Sequence, residues 1–490
     1  MSDEYKVAIL GAGIGGLGMA ARLRMEGETS FVILEKADAI GGTWRENTYP
    51  GAACDVQSHL YWYAFDDEQP NWSRLYGQQP EIRANIDSFV ERHGLAEHIR
   101  LDAEVSRATW DDAGGAWVIE TVSGEQIRAE LFIGAWGQLN RPSFKGIPGR
   151  ESFRGEAFHS AQWRHDVDLT GKRVAVVGNG ASAVQIVPEI AEQVASLTVF
   201  QRSANYHVPR MDRPYDPEEL RTFSDPARLR ESREAFYAEH ESWVGAMQLE
   251  SNPVLDEFYR IARELLDTQV PDPVLREKLW PDYPLGCKRV LVADTYYPAL
   301  MRDDVELVTD RIAEVVPEGI RTQDGTVHEF DVVVFATGFE TLSFLGSLEI
   351  TGRDGRSLRD IWQDGAHAYL GITVNGFPNF FLLYGPNTNL GHNSIILMLE
   401  CQYDYVLQAL RAREAHSAVA LDVRADAMQR YNDQLQEQLR STAFAGGCNS
   451  WYKTAEGHIT NNWSGSVDDY RQATRQLQVE DYEMLQSATA

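Results

Sequence analysis

The chain is poor in cysteine, and its cysteines do not cluster. Cys54, Cys287, Cys401 and Cys448 stand far apart along 490 residues, and none forms C-x-x-C. This argues against a dithiol redox centre or a zinc ribbon, so no metal is expected. Scattered single cysteines suit a reducing compartment. No stretch approaches 18 uncharged apolar residues, so no transmembrane segment is expected. Met1-Ser2-Asp3-Glu4 lacks the basic region of a secretory leader, and the protein reads as soluble and cytoplasmic. Positive charge is also scarce: 45 Lys and Arg face 73 Asp and Glu, giving a net charge of −28. Nucleic acid and anionic membrane surfaces want a basic face, so neither is an expected partner. Any anionic cofactor must be held by local Arg, Lys and helix ends. Length and composition are ordinary for two or three domains with proper cores.

What is present is one nucleotide-binding pattern, used twice. Lys6 to Leu10 runs into Gly11-Ala12-Gly13-Ile14-Gly15-Gly16, a small-residue helix, the strand Phe31 to Leu34, and then Glu35. Gly11, Gly13 and Gly16 let backbone approach a pyrophosphate at a helix N-terminus, and Glu35 is placed to bind a ribose hydroxyl. The second unit has a strand at Arg173–Val177, then Gly178-Asn179-Gly180-Ala181-Ser182-Ala183, a helix at Val184–Val194 and a strand at Leu197–Phe200. It ends in Gln201-Arg202-Ser203 rather than an acid. An acid there selects a 2′-hydroxyl and an arginine selects a 2′-phosphate, which points to NADPH. Gly178, Asn179, Gly180, Ser182, Arg202 and Ser203 are the candidate contacts.

Around these units, Trp110 to Val122 reads as a hairpin turning at Gly114-Gly115. Leu131–Ala135 and Asp331–Phe335 are matching buried strands, the second returning the chain to the first domain. From about Asp212 to Pro281 charge dominates and prolines punctuate short helical patterns. This reads as a small helical insertion over the active site or its rim, its carboxylates on a solvated face. Helices are expected around Glu400–Arg413 and Ala425–Leu439, with a polar tail beyond Gln472.

Between the two units lies Phe153-x-Gly155-x-x-x-His159-x-x-x-Trp163. The pattern resembles the fingerprint of the flavin-dependent Baeyer–Villiger monooxygenases, although that family usually follows the Trp with Pro or Asp and here it is Arg164. Gly41-Gly42-Thr43-Trp44, Tyr49-Pro50-Gly51 and Asp55 resemble a second motif of that family. Gly286-Cys287-Lys288-Arg289, Ala336-Thr337-Gly338-Phe339, the loop Gly391–Ile395 and Gly447–Tyr452 resemble further, separate segments of that family.

The resemblance spans roughly Tyr5 to Tyr470. It implies an α/β fold of two Rossmann-like dinucleotide-binding domains, for FAD and NADP, with a small helical insertion. The FAD-binding domain is expected at 1–140 and 331–490, the latter part including a C-terminal active-site rim. The NADP-binding domain is expected at 141–211 and 285–330, and the insertion at 212–284. The resemblance further implies FAD and NADPH as cofactors, and a ketone and O2 as substrates. An ester or lactone then forms through a flavin peroxide. Thr43, Trp44, Asp55 and Tyr61 line the flavin by this resemblance, with Gln138, Thr337 and Ile395 as further contacts. Arg289 is the catalytic arginine, paired with Asp55, and a guanidinium can stabilise a developing oxyanion. Lys288 reaches the 2′-phosphate. Asn393, Ser394 and Trp451 belong to the substrate rim. His392 reads as a packing residue rather than a base. His159 and Trp163 read as couplers between domains. Two alternatives stay open: a flavin monooxygenase oxidising nitrogen or sulfur, and a catalytically silent flavin-binding module. The identity of the ketone and the oligomeric state are not legible in the sequence.

Overall fold

The structure is a computed structural model that describes residues 3–342, 344–448 and 450–486. Asn449, part of the rim motif above, lies outside the described residues.

Two largely parallel sheets carry the two nucleotide units. In the first, Asp3–Leu10 sits mid-sheet between Phe31–Leu34 and Gln126–Gly134, parallel to both. Its run of apolar residues follows from cover on both faces, with Val7, Ala8 and Ile9 fully buried. Ile99–Arg100 extends this sheet on one side. On the other lie Ala116–Thr121, Val105–Asp111 and Glu349–Thr351, with Phe380–Leu382 pairing onto Gln126–Gly134. Val105–Asp111 and Ala116–Thr121 form the hairpin around Gly114-Gly115. The helix Ile14–Met25 packs on the long helix Ile395–Ala415. A Cβ on Gly18 would lie 2.4 Å from the Tyr403 hydroxyl, so the small residues permit this close approach.

The second sheet is wholly parallel, in the order Val305–Val308, Ser196–Phe200, Arg173–Val177, Val332–Phe335, Glu156–His159. Its first helix runs Ala181–Ile190. It starts one turn before the apolar residues announce it, because Ala181 and Ser182 are not buried. A small antiparallel sheet of Ile312–Val316, Gly319–Thr322 and Val327–Glu329 lies alongside.

The charged stretch after Asp212 contains the helices Pro217–Phe223, Pro226–Ser242, Pro253–Gln269 and Pro273–Leu279. Each starts in the same way. Asp216, Asp225, Asn252 or Asp272 caps the first turn with its side chain, and a proline follows at the first helical position. The prolines are therefore helix starts. The C-terminal stretch departs from the polar tail expected of it: Tyr482–Leu485 forms a strand antiparallel to Ala420–Val423, with Tyr482 buried. Among the described residues no helix is long and apolar enough to cross a membrane.

Candidate active site

The helices Ile14–Met25 and Ala181–Ile190 begin after Gly13 and Gly180 with no side-chain cap. Their first-turn N–H groups, unlike those of the four proline-started helices, are left for an anion. Gly11 (φ +109°) and Gly178 (φ +115°) occupy equivalent places. A Cβ would lie 2.6 Å from the Ala135 carbonyl oxygen in the first case and 2.3 Å from that of Ala336 in the second. Gly16 presses on Gly11, and a Cβ on Gly42 would lie 2.9 Å from the Gly13 Cα. The Glu35 carboxylate accepts from the Ala12 and Ala37 N–H groups at 2.8 and 2.9 Å. Its remaining lone pairs suit ribose hydroxyls. Both turns fit a dinucleotide pyrophosphate.

Gly41 and Gly42 lead into the short helix Thr43–Glu46. Thr43 is exposed, whereas Trp44 is buried and donates its Nε1–H to the Tyr61 hydroxyl at 3.2 Å. The Tyr49–Gly51 turn is tied to the second unit. The Tyr49 hydroxyl donates to Gln185 Oε1 at 3.0 Å, and Gln185 Nε2 donates to the Ala53 carbonyl at 3.0 Å. This anchored loop presents Asp55 to Arg289 from 234 residues away. Arg289 Nε and Nη2 both approach Asp55 Oδ2, at 2.8 and 2.6 Å, and Nη1 points to the Leu390 carbonyl at 3.5 Å. Arg289 and Asp55 keep 31% and 34% of their side-chain surface exposed, so the pair is open to a ligand. Burial pushes the Asp55 carboxyl up, but the adjoining Arg289 outweighs this and holds it below the usual range. The Asp55 charge in turn lifts Arg289 above its ordinary value, against burial, and Tyr452 acts in the same direction.

Arg289 is held from behind by a bond absent from the sequence reading. Cys287 and Cys448 form a disulfide, which corrects the picture of four single cysteines; Cys54 and Cys401 remain free and buried. No short spacing announces the bridge, since 161 residues separate its ends. On the other side of Arg289, Leu291–Val292 pairs with His207–Val208.

At the second glycine turn, Lys288 Nζ donates to the Ser203 hydroxyl at 2.7 Å and lies 4.3 Å from the Tyr283 ring centroid. Asn179 donates to Gln201 Oε1 and the Ser203 carbonyl, locking turn to strand end. Ser182 sits in the first turn of the helix. Burial and the neighbouring Arg202 push the Lys288 ammonium down. Among the described residues neither Lys288 nor Arg202 has a carboxylate ion pair. Two cations without carboxylate partners beside an uncapped helix fit a 2′-phosphate.

The linker docks edge-on. Glu156–His159 pairs with Val332–Phe335, and Gly155 abuts the Asp331 carbonyl beside the Phe153 ring. His159 Nδ1 accepts from the Ala161 N–H at 3.1 Å, so Nε2 carries the proton and donates to the Gly338 carbonyl at 3.0 Å. Burial lowers its pKa to about 4, leaving it neutral. Trp163 packs edge-on against Phe158, and Thr337 donates to the Ser143 carbonyl at 2.5 Å.

Gln138 spends its amide within the protein. It donates to the Tyr384 and Gly385 carbonyls and accepts from Asn461, a bracket between loops. Ser394 caps the helix that starts at Ile395. Asn393 donates to Glu241 at 2.8 Å, and buried His392 lies 3.3 Å from the same carboxylate. Trp451 packs on Tyr452, and its carbonyl lies 3.4 Å from the Thr341 hydroxyl. Glu241 departs from the solvated face expected of the insertion's carboxylates: it lies among partners at the rim. Arg210 also enters the site, donating to the Cys54 carbonyl at 2.7 Å next to Asp55. A lone arginine carries no local signal.

Residues 4–221 match the model of the flavin-binding monooxygenase-like family. A Baeyer–Villiger monooxygenase of Streptomyces coelicolor is 42% identical over 100% of this chain and 94% of its own length. One from Pseudomonas aeruginosa is 41% identical over 99% and 92%. The closed crystal structure of cyclohexanone monooxygenase superposes with a TM-score of 0.88 at 29% identity, covering 99% of this chain and all of that one. An oxidised steroid monooxygenase bound to NADP gives a TM-score of 0.86 at 31% identity, over 99% of this chain and all of the other. With two nucleotide units, a paired aspartate and arginine between them, and relatives this similar over its full length, the chain belongs to the Baeyer–Villiger monooxygenases.

Proposed function

We propose that the enzyme inserts one oxygen atom of O2 beside a ketone carbonyl, giving an ester or lactone at the expense of NADPH, with Arg289 as the catalytic arginine. FAD, when bound and reduced, supplies the activation of O2. The chain's own residues do the rest. Gly11, Gly13, Gly16 and Glu35 hold the FAD pyrophosphate and ribose, while Thr43, Trp44, Tyr61, Thr337 and Ile395 border its ring. Gly178, Asn179, Gly180, Ser182, Arg202, Ser203 and Lys288 hold NADPH. Asp55 fixes the Arg289 guanidinium in place. Arg289 stabilises the negative charge that develops on oxygen as the carbonyl is attacked, a charge met with fixed donors. Asn393, Ser394 and Trp451 border the ketone.

The observation that carries this reading is the Asp55–Arg289 pair, anchored on both sides yet open to a ligand. Oxidation of nitrogen or sulfur needs no such charge stabilisation. The test is a panel of cyclic, linear and aryl ketones plus one thioether, with product identification and with NADPH and NADH in parallel. Ester or lactone from a ketone is expected; sulfoxide as the sole product would overturn the reading.

A further inference from the structure

The segment Leu390–Ser394 is gripped from three directions. Arg289 reaches the Leu390 carbonyl. His240 and Glu241, at the C-terminal end of the insertion helix Pro226–Ser242, take the rest. His240 Nδ1 lies 2.7 Å from the His392 carbonyl, which can only accept, so Nδ1 donates. Burial pushes the ring's pKa down to about 4, so it has one proton, and Nε2 must accept. Nε2 lies 2.6 Å from Gln57 Oε1, and a singly protonated ring requires this amide to be turned with its NH2 toward Nε2. Gln57 is two residues from Asp55. Glu241 Oε1 accepts from Asn393 Nδ2 at 2.8 Å and faces His392 Nε2 at 3.3 Å. The same carboxylate accepts from the Val467 N–H at 3.1 Å, at the start of the helix Val467–Thr474. Two adjacent side chains of the insertion thus tie together the Asp55 loop, the Leu390–Ser394 loop and a C-terminal helix.

We propose that His240 and Glu241 are positioning residues that fix the Leu390–Ser394 loop, and with it the Arg289 guanidinium, over the reacting centre. They act through the loop, not on the substrate. This inference rests on the Baeyer–Villiger reading for its activity readout only. A reacting group displaced by about 1 Å can cost a hundredfold, and loosening one end of a loop is a smaller displacement.

The test uses FAD-loaded full-length enzyme and the variants Glu241→Ala, Glu241→Gln, His240→Ala and His240→Gln. Hydrogen exchange is read at the amides of residues 390–394, and ester formed per NADPH oxidised is measured in parallel. Both alanine variants are expected to raise exchange in this loop selectively and to lower ester per NADPH about tenfold. The glutamine variants, which keep an acceptor for Asn393 and a donor for the His392 carbonyl, are expected to recover most of both. Wild-type loop exchange and product yield in the alanine variants would overturn the proposal. So would loss of protection spread evenly over the chain. If the parent enzyme makes no ester from any ketone, the functional reading fails, while loop exchange still decides the clamp.

Discussion

Cys448 is bonded to Cys287, the residue immediately before Lys288 and Arg289, and both cysteines are buried. The bridge joins the segment carrying the two cations to the segment carrying Trp451 and Tyr452. The segment carrying Arg289 and the segment carrying Trp451 and Tyr452 are thus covalently tied. Gly446 reinforces this, since a Cβ there would lie 3.1 Å from the Cys287 sulfur.

A thiol count in denaturant checks the bridge directly. Cys54 and Cys401 alone are expected to react without reductant, and all four cysteines with it. The bridge closes a loop of 161 residues. Chain-entropy reasoning puts its stabilisation at no more than about 5 kcal/mol for a loop of that size. Cys448→Ser is expected to melt at a lower temperature than the parent, and added reductant should not lower the variant further. Four reactive thiols before reduction would remove the bridge from the structure.

If Arg289 stabilises the developing oxyanion as proposed, replacing it with Ala removes those donors. Turnover to ester is expected to fall about a hundred- to a thousandfold, as for other single oxyanion donors. Reduction of bound flavin by NADPH, followed by absorbance without oxygen, should fall far less. Asp55→Ala should show the same pattern in weaker form, because Arg289 keeps its charge but loses its principal anchor.

Cofactor preference tests Lys288 and Arg202. Each is a cation beside the second glycine turn, and a charge-assisted hydrogen bond is worth about 1.5–3 kcal/mol. Lys288→Ala or Arg202→Ala is therefore expected to lower the ratio of kcat/KM for NADPH over NADH by about ten- to a hundredfold. An unchanged ratio in both variants would place the 2′-phosphate elsewhere.

The legible parts of this protein are those where chemistry depends on neighbours in sequence. Gly11 and Gly178 sit at turns that a Cβ would block, so the need is written locally, and the strands around them follow within three residues. Prolines after Asp216, Asp225, Asn252 and Asp272 were legible as punctuation, although their role as helix starts needed the caps to be seen. Asp55 and Arg289 come from distant segments; only the resemblance paired them in advance. The role of Glu241 is not legible because a carboxylate in a charged helix carries the same local signal whether it meets water or Asn393. The bridge between Cys287 and Cys448 is illegible for a related reason, since pairing across 161 residues is a tertiary fact.

His159 offers a test of the linker through acid. Burial lowers its pKa from the ordinary 6.5 to about 4 in the folded protein. Between those values the unfolded chain binds a proton that the native state does not. Stability therefore rises with pH across this window, and is lost as pH falls from about 6.5 toward 4. In His159→Gln that contribution is absent, while the amide can still donate to the Gly338 carbonyl and accept from the Ala161 N–H. The variant is expected to be the less stable protein near neutrality, because glutamine is a poorer fit among Phe144 and Phe339. Its deficit should shrink as pH is lowered from 6.5 to 4. Melting temperatures of both proteins at half-unit steps of pH read this directly. A gap that stays constant across the window would mean that His159 is protonated in the fold, and that its bonds to Gly338 and Ala161 are not those of a neutral ring. If His159 couples the domains rather than carrying a proton, the same variant should change KM for NADPH more than the yield of ester per NADPH.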